Sequence, residues 1–343
     1  MECTFRIGTQ SEAGSRLGDG ATRVVISAVA LLLFSFPFTC TKAFGAQTAA
    51  PRTFTDEVGR HVEVPAAVKR IVSLAPNITE IVYALGEGDR LAGDTDFCDY
   101  PAEAARKPRV GGPVNPNLEQ IAALTPDLVL ATKSINRPET VDALARIGLP
   151  VFVTDPHSVD QMIASVEHIG DVLHAEKKAT PLANDLRARL ASLDMRLAGV
   201  APSRVLFVIW TSPLISVGKN TFLADALRHA GARSVVDTSV EWPRVNMEEI
   251  VRLQPEFLVF ASSHDKDMQH DIDALRGRPG WRDLDAMRKG QIVVISDAIN
   301  RPAPRMVDAV EQLARALHSD LISSGEMRND TADITEEACA CAR

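Results

Sequence analysis

Histidines, cysteines and paired carboxylates are the side chains that ligate metals, attack carbonyls or move protons, and their spacing here assembles none of those chemistries. The eight histidines, His61, His157, His168, His174, His229, His264, His270 and His318, are scattered along the chain. A metal site needs three or four convergent ligands. The chain contains no G-x-S-x-G elbow, no G-x-x-x-x-G-K-S/T loop, no H-E-x-x-H pair and no cysteines with zinc spacing. Gly86-Glu87-Gly88 follows a helical pattern rather than a strand, so it reads as a turn and not as a dinucleotide loop. No catalytic residue, metal ligand or cofactor is assigned, and a binding protein is expected rather than an enzyme.

Recognition groups are easier to find. Aromatic residues make up only 5% of the chain, yet Phe97, Tyr100, Trp210 and Trp242 all fall in loops that follow strand-like segments. Ligands of open α/β sheets bind at those strand ends, and loop aromatics suit a large, flat, apolar ligand. Ala75-Pro76-Asn77 and residues 297–305 occupy equivalent loops. A second signal is a repeat: Asn117-Leu118-Glu119, leading to Pro126-Asp127, returns as Asn246-Met247-Glu248, leading to Pro255-Glu256. Each copy runs into an apolar segment, 128–131 or 257–261. One α/β design used twice implies two lobes with a cleft between them.

The elements that must position these residues follow from the hydrophobic period. In the first half, strands are expected at 70–74, 91–93, 128–130 and 151–153, and helices at 79–85, 118–124 and 139–147, with Asn117 as an N-cap. The second half repeats the order, with strands at 205–209, 234–236, 257–261 and 292–295 and helices at 221–229 and at Asn246. Strands alternating with helices predict mostly parallel sheets covered on both faces. Residues 159–173 and 183–197 read as connecting helices, with Pro181 marking a break or a first turn. A helix of about 20 residues spans about 30 Å, so the lobes are joined by a stiff backbone helix rather than by hinge strands.

The expected organisation is a signal peptide (1–46), an N-terminal extension (47–68), an N-terminal α/β lobe (69–157), a helical linker (158–202), a C-terminal α/β lobe (203–318) and an acidic, disordered tail (319–343). The signal rests on the apolar run 24–38, preceded by Arg16 and Arg23 and followed by small residues; Pro37 ends it too early for a spanning helix. Past it only Cys98, Cys339 and Cys341 remain, too few for a disulfide framework. With 45% hydrophobic residues, 24% charged residues and a net charge of −8, the chain has a globular composition that argues against a nucleic-acid partner.

The segments Ile71-Val72-Ser73-Leu74-Ala75-Pro76-Asn77-Ile78-Thr79-Glu80, Asp99-Tyr100-Pro101, Asn117-Leu118-Glu119, Pro126-Asp127-Leu128-Val129, Trp242-Pro243, Ser296-Asp297 and Pro304-Arg305 occur in an order that resembles the helical-backbone periplasmic binding proteins of ABC importers. Their cobalamin-binding branch is the nearest match, and the resemblance covers residues 54–317. It implies two Rossmann-like lobes, a corrinoid held between aromatic side chains of both, and no chemistry. Phe97, Tyr100, Trp210, Trp242, Asp297 and Arg301 are the implied ligand contacts, and Glu119 and Glu248 the implied contacts with permease arginines. The implied setting is a periplasmic monomer serving an inner-membrane permease and its ATPase. Pro113 and Ala298 stand where cobalamin binders can place aromatics, so haem or a ferric siderophore is an alternative ligand. The alternative of another class is a tetrapyrrole- or metal-handling enzyme, which would require several His, Cys or carboxylate groups to meet in the cleft.

Overall fold

The computed structural model describes residues 50–262 and 268–319; the expected signal peptide with Cys40, His264 and the tail cysteines Cys339 and Cys341 lie outside them. A hairpin of β1 (Arg52–Thr55) and β2 (His61–Val64) comes first. Then follow β3 (Ile71–Ser73), α1 (Pro76–Ala84), β4 (Leu91–Gly93), α2 (Leu118–Ala123), β5 (Leu128–Thr132), α3 (Pro138–Arg146) and β6 (Val151–Thr154). The connecting helices are α4 (Val159–Leu173) and α5 (Glu176–Arg196). The second lobe runs β7 (Ser203–Val208), β8 (Trp210–Thr211), β9 (Leu214–Ile215), α6 (Phe222–His229), β10 (Ala232–Ser234), α7 (Met247–Leu253), β11 (Phe257–Ser262), α8 (Met268–Arg276), α9 (Asp285–Lys289), β12 (Ile292–Ser296) and α10 (Met306–Leu317).

Both lobes carry a four-stranded parallel sheet with the same strand order, β4-β3-β5-β6 and β10-β7-β11-β12. All of β5 is buried, as a parallel strand covered on both faces must be. The likeness of the two halves extends to the ends of the repeated helices. Asn117 caps α2 by accepting from Gln120 N at 3.0 Å, and Asn246 caps α7 by accepting from Glu248 N at 2.9 Å. Thr125 (φ 46°) and Gln254 (φ 44°) then take the same left-handed conformation after the helix. In each lobe an arginine at the start of the first parallel strand satisfies an open carbonyl at the helix end: Arg70, just before β3, donates to Leu124 O, and Arg204, within β7, to Leu253 O. Asp127 and Glu256 return the contact by accepting backbone N–H groups from Arg70 and Arg204.

Three expectations need correction. Helix α1 begins at Pro76 rather than at Thr79, because a proline is at ease in a first turn whose N–H needs no partner. Strand β10 is placed at Ala232–Ser234, two residues before the expected 234–236, where Gly231 turns the chain at φ 68°. Helix α5 starts at Glu176 and runs through Pro181 without a break. A proline inside a helix costs about 3 kcal/mol, which burial of Ala179, Ala183, Leu186, Leu190 and Leu193 offsets.

Packing of α4 against α5 is close. A Cβ added at Gly170 of α4 would lie 2.3 Å from the Ala179 Cβ of α5. Arg189 of α5 then reaches α10, with Nε to Glu311 Oε1 at 2.9 Å and Nη2 to Asp308 Oδ1 at 2.6 Å. One hydrophobic core passes from Ile78 and Phe152 of the first lobe through Ile163, Val166, Leu186 and Leu190 to Phe207 and Val310 of the second. The lobes are thus packed onto a shared helical layer.

Candidate ligand-binding site

The second lobe builds its share of the site at the carboxyl ends of its strands. Trp210 and Thr211 pair with Leu214 and Ile215 in a two-stranded flap, and Trp210 Nε1 donates to Ser212 O at 2.9 Å, which fixes the indole beside its own turn. Behind the flap lies a hollow of 470 Å³ whose walls include Trp210, Phe260, Asp271, Arg278, Asp297 and Asn300. Trp210 is 61% exposed although it is the largest apolar side chain there. Trp242 is held by an edge contact with Phe222, their ring centroids 6.1 Å apart at 62°. Each indole thus turns a flat apolar face to solvent from a secured position.

The first lobe presents the loop from Asp94 to Pro101. Arg109 Nη1 anchors it by donating to Asp94 Oδ1 (2.6 Å), Thr95 O (2.6 Å) and Cys98 O (3.1 Å). Cys98 points inward against Thr79 and Thr95, and burial pushes its thiol above the usual cysteine range. With Cys98 turned in, Phe97 is left outside at 61% exposure. Asp94 is fully buried, and desolvation raises its carboxyl to about 6 despite the opposing charge of Arg109. Elsewhere in the same lobe Asn136 Nδ2 donates to Leu74 O and Pro113 O, both at 2.9 Å, and ties the end of β3 to the segment before α2.

Between these two surfaces an ionic network joins the lobes. Arg301 Nη1 donates to Glu80 Oε1 at 3.1 Å and to Asp99 Oδ1 at 2.5 Å, and Nη2 donates to Asp99 Oδ2 at 3.1 Å. Asp297 Oδ2 stands 3.6 Å from the same guanidinium. Arg305 reaches Glu80 with Nε and Nη2 and lies over the Tyr100 ring, 3.5 Å from its centroid. The hydrogen bond from Arg301 holds the Asp99 carboxyl below the usual carboxylate range. Burial works against the charge on Arg301, yet the hydrogen bond with Asp99 and the charge of Glu80 outweigh it and raise the guanidinium further.

Of the residues named from the sequence, Tyr100, Asp297 and Arg301 meet in this network, and Trp210 shares the hollow with Asp297. Phe97 sits on the same loop as Asp99, and Trp242 lies in the segment that Ile215 bridges at Arg244. Arg137 lines a hollow of the first lobe with Asn115, Leu118 and Glu139. Glu119 and Glu248 are exposed in the first turns of α2 and α7. Glu80, Asp99 and Arg305 were not singled out as site residues. A signal was available for Glu80, since an acid among Ile78, Ile81 and Val82 on a buried helix requires a cation. Among the described residues no group of three or more His, Cys, Asp or Glu side chains could hold a metal ion.

Comparisons with known proteins agree with this architecture. The uncharacterized ABC transporter substrate-binding lipoprotein YvrC of Bacillus subtilis is 31% identical over 279 residues, which is 79% of this chain and 86% of that protein. The crystal structure of the periplasmic vitamin B12-binding protein BtuF of Vibrio cholerae superposes with a TM-score of 0.63 at 30% identity, covering 74% of this chain and 97% of that one. The periplasmic heme-binding protein RhuT from Roseiflexus sp. RS-1 gives 0.66 at 27% identity, covering 75% of this chain and all of its own (100%). These relatives are solute-binding proteins, not enzymes. The family described as "Periplasmic binding protein" matches residues 71–298, and this chain belongs to it.

Proposed function

We propose that this protein captures cobalamin or a related corrinoid outside the cytoplasm and delivers it to the permease of an ABC importer. The observation that carries this reading is the exposure of four aromatic rings, Phe97, Tyr100, Trp210 and Trp242, on strand-end loops of both lobes. A flat macrocycle buries large areas against such rings, and the shared helical layer keeps the lobes nearly in place, so little ordering cost opposes binding. Similarity to a vitamin B12-binding protein of Vibrio cholerae supports the corrin over other macrocycles. The similarity to RhuT, a heme-binding protein, favours haem as the second reading.

Delivery would use Glu119 and Glu248, one exposed carboxylate on each lobe, which can accept bidentate contacts from permease arginines. Two separated contacts fix orientation as well as proximity. ATP hydrolysed by the transporter's own ATPase would drive transport.

Titration of the purified mature protein with cyanocobalamin, haemin and a ferric siderophore, followed by absorbance and tryptophan fluorescence, tests the ligand. Saturable binding of cyanocobalamin at micromolar concentration or below is expected. Binding of haemin or the siderophore alone would replace the corrinoid with that ligand.

A further inference from the structure

The network that joins the lobes has one more carboxylate than guanidinium groups: Glu80, Asp99 and Asp297 against Arg301 and Arg305. Both cations are already paired. Arg301 is shared among all three acids, and Arg305 gives Nε and Nη2 to Glu80 and its face to Tyr100. The acids are not equally hidden, for the Glu80 side chain is 2% exposed whereas that of Asp99 is 64% exposed. Asp297 also lines the second-lobe hollow, together with Asp271, and Arg278 is the one cation among the described residues of that wall. Asp99 and Asp297 therefore offer partly exposed carboxylate oxygens at this junction, beside guanidinium groups that are already paired.

We propose that the Asp99–Arg301 pair is a specificity filter that admits ligands fringed with carboxamides and turns away ligands fringed with carboxylates. The proposal rests on the corrinoid reading and adds the chemical class that these carboxylates select. A carboxamide brings two N–H donors, which satisfy Asp99 and Asp297, and a carbonyl, which accepts from Arg301 without breaking its ion pairs. An ionised carboxylate brings acceptors only. It meets Asp99 and Asp297 as like charges, and the charge of Arg301 is already offset by Asp99 and Glu80. Rejection by repulsion and by unpaired polar groups is how a site refuses a ligand of nearly identical shape. The pair of compounds that differs in this one respect is cyanocobalamin and its monocarboxylic acid, in which a side-chain amide has become an acid; haemin carries two such acids on a different ring.

The test measures dissociation constants of the full mature protein and of Asp99→Asn and Asp297→Asn for cyanocobalamin, for its monocarboxylic acids and for haemin, at pH 7.5 and low salt. In the wild-type protein the monocarboxylic acid whose acid group faces the pair should bind at least about tenfold more weakly than the amide. Asp99→Asn keeps the shape and an acceptor for Arg301 but removes the charge, so the ratio of acid to amide affinity should rise severalfold toward one. Melting curves of both variants establish that they fold. Equal binding of amide and acids by the wild-type protein, or a ratio unchanged in both variants, overturns the filter while leaving corrinoid capture intact. Tight haemin binding with no corrinoid binding overturns both.

Discussion

Arg305 and Glu80 form a bidentate pair across the two lobes, with Nε to Oε2 at 2.9 Å and Nη2 to Oε1 at 2.8 Å. Glu80 belongs to α1 of the first lobe, and Arg305 is the residue from which α10 of the second begins. Two parallel bonds fix a direction as well as a distance, so this contact sets how the lobes face each other.

Removing the charge of Glu80 should therefore loosen more than one helix. Glu80→Gln leaves Arg305 and Arg301 partly buried without their shared counter-charge, and breaking one side of such a pair costs about 3 kcal/mol. Urea denaturation should register that loss, together with a fall in Tm of roughly 5–10 °C. A variant within about 0.5 kcal/mol of the wild type would show that the pair contributes nothing net to stability.

Asp94 predicts a pH dependence with a definite sign. Desolvation raises its folded carboxyl from an ordinary 3.8 to about 6, so the folded state holds the proton more tightly than the unfolded state. Stability from this group is thus fully present below about pH 4 and is lost as pH rises through 6. Asp94→Asn keeps the acceptor oxygen for Arg109, which also retains Thr95 O and Cys98 O, and it cannot titrate. The stability of the wild type minus that of the variant should fall by about 2 kcal/mol between pH 4.5 and 7.5. A difference that stays flat, or that grows with pH, contradicts this assignment.

Gly170 sets two effects against each other. Alanine is favoured over glycine in a helix by about 1 kcal/mol. The new Cβ, however, would meet the Ala179 Cβ at 2.3 Å, and pushing two packed helices apart costs about 1–3 kcal/mol. We expect overpacking to win, with Gly170→Ala less stable by about 1–2 kcal/mol in chemical denaturation. A more stable variant would mean that α4 and α5 slide apart freely.

Docking and ligand capture should separate cleanly. Reversing both exposed carboxylates, Glu119→Arg with Glu248→Arg, places like charges against the proposed permease arginines and should lower binding-protein-stimulated uptake by at least about tenfold. Ligand titration of the same double variant should match the wild type. Uptake at the wild-type level would remove these two residues from the docking surface.

Local physics was legible in the chain. Asn117 read as a cap, the β-branched runs as buried parallel strands, and the repeat as two lobes of one design, because caps, strand periods and turns depend on residues within a few positions of one another. The exposed rings Phe97, Tyr100, Trp210 and Trp242 were legible for the same reason, since an aromatic in a strand-end loop has little core to enter. Local rules failed where packing overrode propensity. Pro181 stays inside α5 because the buried face of that helix outweighs one missing N–H.

The tertiary structure alone decided which charges meet. Glu80 and Arg305 are 225 positions apart, and nothing in either neighbourhood chooses the other. Their pairing follows from how α4 and α5 hold the two sheets, and the same arrangement gives Arg301, expected as a ligand contact, Glu80 and Asp99 as partners. Sequence determined the lobes and the exposed loop aromatics, because those arise from neighbours along the chain. The electrostatic character of the cleft arises from opposite lobes brought together, which no window of sequence contains.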